Sequence, residues 1–189
     1  MPQRNIIVLT APSGAGKSTI AQRLLTAHPA IQFSTSVTTR PPREGEIDGV
    51  HYIFLSEAEF QQRIEEGDLL EYEEVYPGRY YGTLRSAVAE AAERHPVLLD
   101  IDVLGAINIK KQFGEECLTL FIAPPSLAVL ANRLKNRGSE TEASLQTRLA
   151  RAEMELSQAE QFDAVIVNDT LDVAVAETIA LVEQFLARS

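Results

Sequence analysis

The chain alternates short, continuous apolar runs with longer stretches in which apolar residues recur every three or four positions. The runs are residues 6–9, 97–101, 118–122 and 164–167, and each leads into a helical pattern. Segments this short and apolar on both faces suit buried parallel strands joined by helical crossovers, so the pattern predicts an α/β sheet protein. Residues 31–34 form a weaker candidate strand. Helix punctuation agrees. Ser56 with Glu59 makes a capping box ahead of Phe60 and Ile64, and Gly67 stops that helix. Gly114 ends the helix that follows Asp102, Pro125-Ser126 opens another, and Asp172 is expected to cap the last one over 173–187. Between Pro41-Pro42 and His95 the sequence is polar and mixed and breaks the strand-helix rhythm, which marks an insertion rather than a linker. There are no repeats or low-complexity tracts.

With 189 residues the chain can bury a substantial core, and its length suggests one domain with insertions. A formal net charge of -10 argues against a broad nucleic-acid surface, because that needs clustered Lys and Arg. Any phosphate must be met by local basic residues, so the expected partners are small molecules, with no nucleic acid and no membrane. The run at 6–9 is too short for a membrane span or a signal peptide, and a cytoplasmic setting follows as the expectation. The single Cys117 excludes an intramolecular disulfide, and no residue cluster has metal-ligand spacing. His28, His51 and His95 stand beside turn residues without triad or metal spacing and read as solvated. Oligomeric state is left open.

One segment carries explicit chemistry. Ala11-Pro12-Ser13-Gly14-Ala15-Gly16-Lys17-Ser18-Thr19 follows the first apolar run and opens an amphipathic stretch, the strand-loop-helix context of a phosphate-binding P-loop. Gly14 and Gly16 let the backbone approach phosphates, while successive N–H groups and the helix N-terminus supply positive potential. Lys17 can reach the β/γ-phosphates and Ser18 can ligate magnesium. Ala11 replaces the first glycine of the usual G-x-x-x-x-G-K-[ST] pattern. An accidental Gly-rich turn is the alternative.

A P-loop says only that a nucleotide binds. Further on come Ser36-Val37-Thr38-Thr39-Arg40-Pro41-Pro42-Arg43-Glu44-Gly45-Glu46, Gly49-Val50-His51-Tyr52, Glu71 and Tyr80-Tyr81-Gly82-Thr83. Leu99-Asp100-Ile101-Asp102, Arg137-Gly138-Ser139-Glu140 and Val167-Asn168-Asp169 complete the series. In order and approximate spacing, over essentially the whole chain, it resembles guanylate kinase. The T-T-R-x-P-R-x-G-E element is the specific part. The resemblance implies a P-loop NTPase fold with a five-stranded parallel sheet, and ATP + GMP → ADP + GDP with Mg²⁺ in purine nucleotide metabolism. It also implies a core over 1–33, 92–131 and 152–189, a GMP-binding insertion over 34–91 and a helical lid over 132–151.

Arg40 and Arg43 lie on a proline-stiffened loop, and guanidinium forks can grip a terminal phosphate bidentately. The resemblance implies that they hold the GMP phosphate with Tyr52 and Tyr81, with Gly82 beside them; an isolated arginine pair would read as surface charge. Guanine presents N1–H and N2–H₂ as adjacent donors that one carboxylate can accept, whereas adenine presents an acceptor at N1. Glu71 matches the position at which the family reads guanine, and Ser36 and Thr83 match its hydroxyl contacts to the base. Residue chemistry alone does not choose Glu71 from Glu65, Glu66, Asp68, Glu73 and Glu74, since charge runs usually form solvated faces.

Asp100 and Asp102 end an apolar run, where ligands gather in open α/β sheets. The resemblance favours Asp102 near guanine and Asp100 nearer the metal. Asp102-Val103-Leu104-Gly105 also fits the loose D-x-x-G of GTPases, but no Asn-Lys-x-Asp follows. The family commonly carries Gln where Leu104 stands. Arg133 and Arg137 are one helical turn apart, and Arg148 and Arg151 recur on the next helical stretch. By resemblance Arg137 and Arg148 reach the phosphates from the lid, supported by Arg133; ordinary amphipathic helix charge is the alternative for Arg151. Asn168 matches a family position beside the adenine or lid. Between Glu71 and Tyr81 the chain carries one extra residue, around Tyr76-Pro77-Gly78. Two rivals remain: a non-catalytic guanylate-kinase-like scaffold domain that binds phosphopeptides, and a P-loop kinase acting on another phosphorylated small molecule.

Overall fold

A computed structural model describes residues 5–136 and 142–188. In chain order the elements are β1 (Ile6–Thr10), α1 (Lys17–Ala27), β2 (Gln32–Ser34), β3 (Val37–Thr38), β4 (Ile53–Phe54), α2 (Glu57–Glu65), β5 (Leu69–Tyr76) and β6 (Arg79–Leu84). They continue with α3 (Arg85–Ala92), β7 (Val97–Asp100), α4 (Val103–Phe113), β8 (Cys117–Ala123), α5 (Leu127–Lys135), α6 (Glu142–Leu156), β9 (Ala164–Val167) and α7 (Leu171–Leu186).

Five strands form a parallel sheet in the order β2-β7-β1-β8-β9. The α/β, five-stranded parallel core expected from the sequence is therefore present, and the weak run at 31–34 supplies its edge strand. Side chains alternate along β1 with the period of two that a strand imposes. Ile7 and Leu9 join a buried cluster with Ile20 and Leu24 of α1 and Val182 of α7, whereas Ile6 and Val8 join Val103 and Ile109 of α4 on the other face. Because both faces are covered at β1, β7 and β8, these strands must be apolar throughout, which explains their continuous runs; the edge strand β9 leaves Val165 and Val167 exposed. Cys117 starts β8 fully buried, and desolvation pushes its thiol up to about 12.

A second sheet, β4-β3-β6-β5, fills most of the polar stretch between 37 and 84. It has its own small core of Val37, Phe60 and Leu69. A third cluster, Leu130, Leu134, Leu145 and Ala152, joins α5 to α6. The capping box at Ser56 and Glu59 forms as read, and Gly67 and Gly114 follow their helices at φ 71° and 53°. The β5–β6 hairpin, where the sequence is expected to carry an extra residue, has a bulge between Glu74 and Tyr76, with Gly78 in the turn at φ 71°.

Two local expectations are corrected. Leu171 packs into the core and starts α7 earlier than expected, so Thr170 is the N-cap and Asp172 sits in the first turn, 3.8 Å from Arg23. His28 is half-buried at the C-cap of α1, with Nε2 3.3 Å from Glu183 of α7, because these two helices pack together; it is not simply solvated.

Candidate active site

The carboxyl ends of β1 and β7, the loop between β1 and α1, and the inner face of the second sheet enclose one cleft. Ala11, Pro12, Ser13, Gly14, Gly16, Lys17, Ser18 and Thr19 line one side. Gly14 and Gly16 take φ of 93° and 100°, a left-handed backbone that favours glycine. A Cβ on Gly16 would also stand 2.3 Å from Asn168 Nδ2. No non-glycine residue among those described has positive φ, so Ala11 needs none of the freedom of the glycine it replaces. Helix α1 begins without a side-chain cap or an acidic residue in its first turn, leaving its N–H groups and dipole directed at the cleft. That is an anion site by construction.

Lys17 Nζ forms an ion pair with Asp100 and donates to the Ile101 carbonyl at 2.8 Å. Burial alone would lower its pKa, but the charge and hydrogen bond of Asp100 outweigh burial and raise it. Ala15 and Asn168 lie beneath the loop, not on the cleft wall: Asn168 Nδ2 donates to the Ala15 carbonyl at 2.7 Å, and both side chains are buried. Arg133 reaches the Asn168 carbonyl at 2.9 Å and so ties α5 to the end of β9. Arg148 lines the cleft and donates to Ser13 Oγ at 3.3 Å. Arg137 lies outside the described residues.

Across the cleft are Ser36, Arg43, Tyr52, Glu71, Tyr81 and Gly82, with Asp100 and Asp102 at its floor. Tyr52 and Tyr81 meet edge-on, 6.1 Å between ring centroids. Arg40 does not face this space. It is 5% exposed, stacks 4.7 Å from the Tyr52 ring centroid, and is held bidentately by Glu46 at 2.6 and 2.7 Å. The hydrogen bond from Arg40 holds the Glu46 carboxyl down at about 2, and the same bond raises the guanidinium. Glu46 also accepts from the Arg43 N–H at 2.7 Å, so this pair shapes the loop that presents Arg43.

Glu71 is the outlier among the acids around it. Only 6% exposed, it accepts from Thr83 Oγ1 at 2.6 Å through Oε1, while Oε2 is buried with no hydrogen-bond partner in the protein. Desolvation pushes its carboxyl up to about 8 against the Thr83 hydrogen bond, with the Asp102 charge adding to the rise. Native proteins rarely leave a buried carboxyl oxygen unpaired, and Oε2, which lies against Gly105 beside the cleft, sets Glu71 apart from its acidic neighbours. Asp102 caps α4, its Oδ1 accepting from Leu104 and Gly105 N–H at 2.9 and 3.1 Å. Leu104 packs against the core and contributes no polar group.

Arg79, Val75, Tyr76, Arg151 and Glu155 also line the cleft. Of these, only Arg151 is a candidate from the sequence, as a lid or surface charge. Arg151 donates to the Val75 carbonyl that the bulge frees and pairs with Glu155 at 2.8 Å, linking α6 to the hairpin. A glutamate four residues after an arginine was the available signal for that pair.

A family profile described as guanylate kinase matches residues 3–185. The chain belongs to the guanylate kinase family. A guanylate kinase of Salinibacter ruber is 61% identical over 99% of this chain and 100% of its own length. One from Chlorobium luteolum is 50% identical over 96% of this chain and 92% of its own. Among solved structures, a guanylate kinase from Anaplasma phagocytophilum superposes with a TM-score of 0.79 at 32% identity, covering 95% of this chain and 85% of that one. A shikimate kinase from Bacteroides thetaiotaomicron shares the fold alone, with a TM-score of 0.54 at 16% identity over 97% of this chain and 98% of the other. No helix among the described residues is long and apolar enough to cross a membrane.

Proposed function

We infer that this guanylate-kinase-family enzyme transfers the γ-phosphoryl group of ATP to a phosphate oxygen of GMP. The new P–O bond forms as the bond from the γ-phosphorus to the β–γ bridging oxygen breaks, giving GDP and ADP. The observation that carries the acceptor assignment is the buried, half-satisfied Glu71 carboxylate facing the P-loop across one cleft. Its Oε2, and the second lone pair of Oε1, match the paired N1–H and N2–H₂ donors of guanine. Ser36 lines the same pocket, and Thr83 fixes the carboxylate from behind.

The P-loop N–H groups, the α1 terminus and Lys17 hold the ATP phosphates. Arg43, Tyr52 and Tyr81 meet the GMP phosphate, while Arg40 works through Glu46 and the Tyr52 ring. Arg148 approaches the transferring group from α6. Ser18 and Asp100 both line the cleft and offer the hard oxygen donors that suit Mg²⁺. No group of three or more His, Cys, Asp or Glu among the described residues could hold a metal. That donor set fits a cation completed by substrate phosphates and water. Magnesium supplies charge neutralisation on the transferring phosphates. Small cores under the second sheet and under α5–α6 support an acceptor-binding insertion over 34–91, anchored on the main core by Leu70, Val88 and Ala91, and a lid over 132–151, of which residues 137–141 lie outside the described ones. A cytoplasmic reaction suits a chain whose one cysteine is a buried, free thiol.

Coupled ADP-release assays across GMP, dGMP, AMP, CMP and UMP test this reading. Turnover confined to the guanine nucleotides is expected. Equal turnover with AMP overturns the assignment of Glu71, and no turnover with any nucleotide favours the phosphopeptide-binding alternative.

A further inference from the structure

Gly105 sits in the first turn of α4, buried, and its backbone is not in the left-handed region. Nothing in its conformation calls for glycine, and glycine inside a helix is less favourable than alanine. What does call for it is space. A Cβ at this position would stand 2.3 Å from Glu71 Oε2 and 3.1 Å from Asp102 Oδ2. The clash falls on an oxygen that is buried with no hydrogen-bond partner in the protein.

We propose that Gly105 is a specificity-positioning residue, whose missing side chain is the space into which β5 delivers the Glu71 carboxylate. The inference rests on the reading of Glu71 as the guanine acceptor. The backbone of Glu71 is fixed by pairing with Thr83 across β5 and β6, and its Oε1 is fixed by the Thr83 hydroxyl. A methyl at 105 would therefore meet the flexible end of a side chain, not a backbone wall. The fold accommodates it by turning the carboxylate away, and the carboxylate then leaves both Thr83 and the direction in which guanine must present its donors. The cost thus falls on recognition rather than on folding.

The test compares Gly105→Ala, Glu71→Ala and the double variant with the parent, measuring kcat/KM for GMP and AMP, KM for ATP, and the melting temperature. Gly105→Ala should lose on the order of 30-fold in kcat/KM for GMP, because charge-assisted hydrogen bonds to the base are lost or bent. AMP turnover and KM for ATP should change little, and the melting temperature should hold or rise. In the Glu71→Ala background the same glycine change should cost less than about twofold, because the group it displaces is gone. If Glu71→Ala keeps its preference for GMP over AMP, the reading of Glu71 fails. Should Glu71→Ala lose that preference while Gly105→Ala keeps it, the role of Gly105 fails alone. Equal losses from Gly105→Ala in both backgrounds, or parallel loss of GMP and AMP activity with a lower melting temperature, also overturn it.

Discussion

GMP binding should expel a proton, and the proton should come from Glu71. Burial and the Asp102 charge lift this carboxyl to about 8, so near neutral pH the free protein holds it mainly as the neutral acid. Guanine offers two donors and no acceptor at that edge, so the bound state needs the carboxylate. At about pH 7.5, roughly three-quarters of the free protein would be protonated, and roughly 0.75 proton should leave per GMP bound. The dissociation constant should fall about eightfold between about pH 7 and about pH 8.5, a window in which the GMP phosphate is already mostly dianionic. The assay is calorimetry in buffers of different ionisation enthalpy, where the slope of observed enthalpy gives the proton count. Glu71→Gln, which cannot titrate, should show a slope near zero and a flat pH profile. Stability follows the same sign. A carboxyl raised in the folded state favours folding below the unfolded value near 4.5, and that contribution is lost as pH rises through about 8. Glu71→Gln should therefore gain melting temperature relative to the parent as pH rises from about 5 to about 8. A parent slope of zero, or the same slope in Glu71→Gln, would refute the argument.

Lys17→Met should keep the fold but abolish most phosphoryl transfer by removing the charge on the β/γ-phosphates, and near-normal turnover with ATP and GMP would defeat the P-loop assignment. Asn168→Ala should cost about 2 kcal/mol by leaving the Ala15 carbonyl unpaired, lowering the melting temperature by several degrees and raising KM for ATP more than KM for GMP. Thermal melts and steady-state kinetics read both effects, and unchanged values would separate Asn168 from the P-loop.

The main sheet is legible because its central strands β1, β7 and β8 are buried on both faces and so announce themselves as unbroken apolar runs. The second sheet is not. Val37–Thr38 and Ile53–Phe54 are two-residue strands that pair with each other, and Val37–Thr38 also pairs with the distant β6, so no local period announces either. The chemistry divides in the same way. The P-loop is contiguous and could be read directly, whereas Asn168 supports it from 153 residues away. Arg40 is assigned to the phosphate by resemblance alone, and its bidentate pairing with Glu46, in the same motif, has no periodic relation that reveals it in the sequence. Glu71 could be chosen from its acidic neighbours only by resemblance. What distinguishes it physically is burial opposite Gly105 and Thr83, a property of three elements meeting.

The Lys17–Asp100 pair gives the proposed reaction an internal competitor. A phosphate arriving at Lys17 does not meet a bare ammonium; it exchanges places with a carboxylate that already neutralises it. Ground-state attraction at this point is therefore a difference between two ion pairs, which leaves stray anions little to gain. On the proposed reading, as ADP and its magnesium leave, Asp100 is released to pair with the lysine again. On that reading the carboxylate that restrains entry would also assist departure, sparing turnover the drag of a product held too well.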